Sequence, residues 1–278
     1  MSPSLSRRAW LQGAVGFVAL RAVPACAQIK APSFVARAIP TPGAKPYLIT
    51  PGPDGAIWFA ESGTGKIGRL DLGTGTVTEF DIPTPGSQTT GVAGGRDGNL
   101  YFSENAVSKI GRITPKGVIT EFPLPTASAT PNGIMLGPDD SIWCIEANVA
   151  KLAALDMRGR FEEMPLTGLS PGTKPLSLAF RGNVPWFSEP EIDKVGRLID
   201  GKVEELTLPA GSQPRAMFTH PNGDIWFAAT SAAFMGRIDR NNAVKNFMLP
   251  DAKAAPRSLA VTPDGKIWFT EDVTQKMG

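Results

Sequence analysis

An aromatic core triplet recurs six times along the chain: Ile57-Trp58-Phe59, Leu100-Tyr101-Phe102, Ile142-Trp143-Cys144, Pro185-Trp186-Phe187, Ile225-Trp226-Phe227 and Ile267-Trp268-Phe269. The steps between the central aromatics are 43, 42, 43, 40 and 42 residues. A period of roughly 40–45 residues is the length of a four-stranded propeller blade. Each unit carries four short strand patterns separated by Gly/Pro turns. They are an inner strand such as Pro131-Asn132-Gly133-Ile134-Met135, a second bearing the triplet, a third such as Lys109-Ile110-Gly111-Arg112-Ile113, and an outer one such as Val118-Ile119-Thr120-Glu121-Phe122. Pro53-Asp54-Gly55, Asp97-Gly98, Pro221-Asn222-Gly223 and Pro263-Asp264-Gly265 supply residues tolerant of positive φ between strands one and two, so the pairing is antiparallel. A sheet with two apolar faces must be covered on both, which stacking around a central axis achieves. With 30 Gly and 26 Pro, a helical bundle or coiled coil is excluded.

The ends bear on closure. Ile39-Pro40-Thr41-Pro42-Gly43 repeats Ile82-Pro83-Thr84-Pro85-Gly86, which follows an outer strand, so Phe34 to Pro40 reads as an outer strand with no blade of its own. The last unit, from Pro256 to Gly278, stops in its third strand. The expected fold is therefore an all-β propeller of four-stranded antiparallel blades, six in number and closed by the N-terminal strand. The alternative is a seven-bladed parent lacking its last unit. A closed ring leaves no long sheet edge to pair, so a monomer is expected.

Residues 1–27 read as an export signal, leaving 28–278 as a single propeller domain. Ser6-Arg7-Arg8 precedes an apolar run from Trp10 to Leu20 that is too short to span a bilayer, and Ala25-Cys26-Ala27 precedes the cut. The paired arginines resemble a twin-arginine signal, which implies a periplasmic or secreted protein. Lipid attachment at Cys26 is the lesser alternative, because Pro24 fits that pattern badly. After cleavage Cys144 alone remains, so no internal disulfide forms. Phe stands in its place in most repeats, which makes Cys144 a packing residue. The net charge of +2 falls to about −1 without Arg7, Arg8 and Arg21, giving no footprint for nucleic acid or an anionic membrane.

Comparison between the repeats singles out two residue sets. Glu61 and Lys66 lie five apart across the loop joining strands two and three, as do Glu104 and Lys109, Glu146 and Lys151, Glu189 and Lys194, and Glu271 and Lys276. In the fifth unit Ala229 and Phe234 replace both members. Joint loss points to a cross-loop ion pair; such carboxylates are also candidates to border a ligand or hold a hard cation. The second set follows the loop into strand one and faces the channel mouth: Tyr47, Thr90, Asn132, Leu176, Arg215 and Arg257. Here the repeats diverge on a constant frame, as a binding site does. Arg215 and Arg257 lie in adjacent blades and closure brings in Tyr47, with Lys45, Lys174, Gln88 and Gln213 flanking. Forked cationic donors suit carboxylate or phosphate oxygens, so a small anionic ligand is expected. His220, the one histidine, sits in a turn on the opposite face, which excludes a zinc site or a Ser-His-Asp triad.

The units Pro131 to Ile134, Ile57 to Glu61, Lys109 to Ile113 and Thr120 to Pro125 resemble those of the streptogramin B lyase (virginiamycin B lyase) family, over residues 31 to 278. The resemblance implies a monomeric seven-bladed propeller that linearises a cyclic depsipeptide antibiotic at its ester bond by magnesium-assisted elimination. It further implies two metal-binding glutamates and a histidine acting as acid or base. Carried over by position, Tyr47 matches a tyrosine of the family's site and Glu271 the second metal-binding glutamate. Arg215 and Arg257 fall on the histidine positions, and Ala255 replaces the first glutamate. Arginine stays protonated and cannot act as a general base. Two functions follow: a propeller binding a small anionic or cyclic-ester ligand at the mouth, or an active lyase opening a cyclic depsipeptide or lactone with Mg2+.

Overall fold

The computed structural model of the chain describes residues 36–262 and 264–274, with the backbone alone at 276 and 277. Consecutive strands pair antiparallel into up-and-down sheets, as the repeat requires. Pro46–Pro51, Ile57–Glu61, Lys66–Leu70 and Val77–Asp81 form the first blade. Five sheets have four strands; the sixth, Pro256–Val261, Ile267–Glu271 and Lys276–Met277, has three among the described residues. The first strands of successive blades touch one another and so lie innermost. The turn glycines adopt the positive φ read from the sequence, with Gly55 at 74°, Gly98 at 76° and Gly223 at 86°.

The core explains the motif spellings. Phe59, Phe102, Phe187 and Phe227 of the second strands stand opposite Gly68, Gly111, Gly196 and Gly236 of the third strands. A Cβ on Gly111 would lie 2.1 Å from the Phe102 ring, and one on Gly236 1.9 Å from Phe227. The ring therefore lies flat on a position that only glycine vacates. Blade 3 solves the same problem with smaller parts: Cys144 replaces the phenylalanine and Ala153 the glycine opposite. Cys144 is fully buried, as its packing role requires, and burial pushes its thiol up. The neighbouring aromatics are anchored by turn acids: Asp54 accepts the Trp58 indole N–H at 3.0 Å, Asp97 the Tyr101 hydroxyl at 2.9 Å, and Asp139 the Trp143 indole at 2.8 Å.

Ring closure is where the described residues depart from expectation. Ile49 in the first strand of blade 1 is 68% exposed, whereas Val92 and Met217, its counterparts in blades 2 and 5, are each 7% exposed. In blade 6, Trp268 is 45% exposed, against 0% for Trp58 and 1% for Trp186. The outward faces of the first and last sheets are thus uncovered, and a closed six-bladed ring is not what the described residues form. Residues 36–40 of the expected N-terminal outer strand adopt no strand, while Phe34 and Val35 lie outside the described residues. With those two faces uncovered, ring closure gives no ground for a monomer. The signal segment 1–27, with Cys26, also lies outside the described residues. Among those described, no helix is long and apolar enough to cross a membrane.

Candidate ligand-binding site

The glutamate–lysine pairs open onto the expected face, but their chemistry differs from a cross-loop ion pair. Glu104 and Lys109 are opposed in register, as are Glu146 with Lys151 and Glu189 with Lys194. Each lysine nevertheless turns to an acid on the outer strand: Lys109 to Glu121 at 2.9 Å, Lys151 to Glu163 at 2.6 Å, and Lys194 to Glu205 at 2.5 Å. In blade 1, Lys66 meets Asp81 at 2.5 Å. The cause is burial. Glu61, Glu104, Glu146 and Glu189 are all 0% exposed, so an ionised carboxylate there loses its hydration, while the outer acids keep part of theirs. Burial, followed by the facing Glu121 charge, pushes the Glu104 carboxyl up to about 8. Burial and the outer glutamates Glu163 and Glu205 push Glu146 and Glu189 up to about 7.

The outer glutamates are in turn held by the loop entering their own blade. Glu121 accepts the backbone N–H and hydroxyl of Thr84 at 2.9 and 2.8 Å, and Glu163 those of Thr126 at 2.9 and 2.7 Å. Glu79 takes Thr41 and Glu205 takes Ser170 in the same way. Burial works against ionisation here too, but the bonds from Lys109 and Thr84 outweigh it and hold Glu121 below its ordinary value. Blade 5 lacks the whole arrangement: Ala229, Phe234 and Asn246 stand on the three strands, and Ala210 in the loop. The buried carboxyls recur with the blade, and none of them lines the cleft at the mouth.

What the mouth does present is a cleft of about 370 Å³ shared by blades 3, 4 and 5. Five of the expected mouth and flanking positions, Asn132, Lys174, Leu176, Gln213 and Arg215, line it. The loop into the first strand delivers Lys174 and Gln213 and the start of the strand delivers Asn132 and Arg215, and Gln213 takes the left-handed φ of 43° that turns the chain inward. Asp193 fixes that turn by accepting the backbone N–H groups of Gly211 and Gln213, each at 2.7 Å. A side-chain chain stiffens the other wall: Thr90 donates to Asn105 at 2.7 Å, and Asn105 donates to Asn132 Oδ1 and to the Pro131 carbonyl, each at 2.6 Å. Thr90 thus supports the cleft without lining it. Among the described residues neither the Arg215 guanidinium nor the Lys174 ammonium is in an ion pair, which leaves two cations facing the opening.

The remaining expected residues lie elsewhere on the mouth. Arg257 donates to Asp272 at 2.7 Å, and hydrogen bonding to Tyr47 and Asp272 holds its guanidinium above its ordinary value. Tyr47 of blade 1 and Arg257 of blade 6 therefore do meet although the faces of their sheets are uncovered, and Arg215 is not with them. Lys45 is exposed at the same end, its carbonyl accepting from Ser62 at 2.9 Å. Glu271 is 9% exposed, with its carboxylate bonded to the Thr274 hydroxyl. His220 sits at the far end of its strand, where Nε2 meets the Gly265 carbonyl at 3.1 Å and Nδ1 accepts from Asn222 at 3.2 Å. Residues that sequence reasoning missed are Thr130, Asn148 and Glu191. Asn148 and Glu191 come from the loops between strands two and three. The Pro190-Glu191 step was a readable signal, because Pro starts the single-turn 3-10 helix Pro190–Ile192 that tips Glu191 toward the cleft.

The residues available do not fit a magnesium site of the implied kind. Among the described residues no group of three or more His, Cys, Asp or Glu side chains is placed to hold a metal. Of the carried-over positions only Glu271 offers a carboxylate, and the guanidinium groups of Arg215 and Arg257 repel a cation.

Comparison with known proteins agrees with the fold and the motifs. The Virginiamycin B lyase family model matches residues 30–182 and 178–278. Selenomethionine-substituted virginiamycin B lyase from Staphylococcus aureus is 30% identical, with 86% of this chain and 81% of that chain covered and a TM-score of 0.79. A streptogramin B lyase structure is 31% identical over 86% and 79% of the two chains, with a TM-score of 0.78. A catalytically inactive histidine-to-alanine variant of the Staphylococcus aureus enzyme, determined with quinupristin, is 30% identical over 84% and 80%, with a TM-score of 0.77. No curated protein matches the sequence. A six-sheet array built on this repeat, matched by the family model along nearly its whole length, belongs to the virginiamycin B lyase family.

Proposed function

We propose that the chain is an exported propeller that binds a small anionic ligand in the cleft of blades 3 to 5. The observation that carries this reading is the pair of cations, Arg215 and Lys174, that lie in no ion pair among the described residues and share one cleft with the amide of Asn132. A forked guanidinium beside an ammonium favours carboxylate or phosphate oxygens, and a half-enclosed cleft weakens the competition from water. Arg257 is the contrasting case, since Asp272 already neutralises it.

Elimination chemistry of the family kind has less support. The Staphylococcus aureus relative with one histidine changed to alanine is catalytically inactive. Here His220 is the one histidine in the sequence, and both of its ring nitrogens are engaged at the opposite end of the strand. No step through magnesium is drawn, because the carried-over residues do not fit it. Export rests on the twin-arginine pattern at Arg7 and Arg8 and places the ligand in the periplasm or outside the cell.

The test is calorimetric titration of the purified protein with N-acetyl-Leu-Leu and with its uncharged C-terminal amide, alongside quinupristin with magnesium. The acid is expected to bind at least tenfold more tightly than the amide, and Arg215→Ala to remove that difference. Equal binding of acid and amide, or none of either, overturns the anionic reading. Linearised quinupristin would restore the lyase.

A further inference from the structure

The cleft that holds the two cations has a third charged group. Glu191 lines it from the short 3-10 turn, and its Oε2 accepts the backbone N–H of Lys174 at 3.3 Å. This bond occupies one lone pair of one carboxylate oxygen and leaves Oε1 available. The side chain is exposed and makes no ion pair among the described residues, although Lys174 is its immediate neighbour. A site built only for an anion gains nothing from such a group, since a carboxylate inside it repels the ligand.

The rest of the lining is mixed in a telling way. Asn132, Asn148, Thr130 and Gln213 offer amide and hydroxyl groups. Thr130 Oγ1 accepts from Asn148 Nδ2 at 2.6 Å, which turns the Asn148 carbonyl oxygen outward as an acceptor. The apolar part is Leu176, Pro175, Pro190 and Ala147. Cations for a carboxylate, an anion for an ammonium, amides between them and an apolar wall make a set complementary to an amino-acid backbone with an aliphatic side chain.

We infer that the cleft selects zwitterions, binding the carboxylate of a free amino acid or short peptide at Arg215 and Lys174 and its ammonium at Glu191. This rests on the anionic reading above and adds a second pole to it. No bond is made or broken, and the ligand leaves as it entered.

The experiment is calorimetric titration of the full protein with Leu-Leu, N-acetyl-Leu-Leu and L-leucine at pH 7, repeated with Glu191→Gln. The amide oxygen that this substitution introduces still accepts the Lys174 N–H, so the turn is kept. Leu-Leu is expected to bind at least tenfold more tightly than its acetylated form, and the variant to bring that ratio to within twofold of one. L-leucine matching Leu-Leu identifies a free amino acid as the occupant; L-leucine at least tenfold weaker identifies a peptide. Equal binding of free and acetylated Leu-Leu by the native protein overturns the zwitterion and leaves the anionic reading standing. A tenfold ratio that persists unchanged in Glu191→Gln overturns the assignment to Glu191. Failure of both dipeptides to bind overturns the two readings together.

Discussion

Glu104 offers the sharpest test of the blade chemistry. Its carboxyl is pushed up to about 8, against 4.5 as its ordinary value. Between those two pH values the folded chain keeps a proton that the unfolded chain has released, so stability falls as pH rises. That gap corresponds to on the order of 4 kcal/mol, a large share of the roughly 5–15 kcal/mol that holds a typical domain folded. Glu104→Gln keeps the shape and a donor facing Glu121 while removing the titration. Urea unfolding of both proteins from pH 5 to pH 9, followed by tryptophan fluorescence, measures the difference directly. Near pH 5 the variant is expected within about 1 kcal/mol of the native protein. By pH 9 it should be the more stable of the two, with a midpoint about 1–2 M urea higher for a slope of about 2–3 kcal/mol/M. Glu146 and Glu189 remain in both proteins, so the difference between the curves isolates Glu104. Midpoints that stay a constant distance apart across the whole range would refute the reasoning.

Three further outcomes follow from the same geometry. Cys144→Phe should cost about 1–3 kcal/mol by driving its ring into Ala153, and Cys144→Phe with Ala153→Gly should recover most of it, as a double-mutant cycle in urea would read. Thr84→Val removes a hydroxyl that donates to Glu121, whose low value adds stability above the carboxylate range and loses it as pH falls; acid unfolding followed by circular dichroism should therefore begin at a higher pH. Ala229→Glu in blade 5 places a carboxyl where the neighbours are Phe234 and Asn246, and should lower stability by about 3 kcal/mol at pH 8 in thermal or urea unfolding.

The aromatic period was enough to place every described sheet, because spacing near one blade length and turn chemistry both act locally along the chain. The mouth positions were legible for the same reason: Asn132 and Arg215 occupy one slot of the repeat. The destination of Lys109 was not. Its spacing from Glu104 shows which residues are opposed, but the choice between Glu104 and Glu121 depends on the relative burial of two carboxyls on different strands. Glu191 escaped because comparison of repeats was applied to the entry loops, whereas the cleft also draws on the loops between strands two and three. Closure depended on how sheets at the two ends meet, a property that no single repeat encodes.

Among the described blades with four strands, blade 5 lacks the loop-to-outer-strand bonds that Thr84 and Glu121 exemplify, and Met248 on its outer strand is 70% exposed. In blades 1 to 4 the outermost strand is clasped by the same loop that starts the blade, so releasing it means breaking that clasp as well. In blade 5 the strand Val244–Met248 has no such clasp among the described residues and is held by its ladder and by Phe247 stacked on Trp226. Local opening is cheapest where the fewest bonds must break together, so among the outer strands of blades 1 to 5 hydrogen exchange should be fastest at this one. It lies in the same blade that supplies Arg215 to the cleft, so the outer strand with the loosest hold is joined through one sheet to a wall of the cleft.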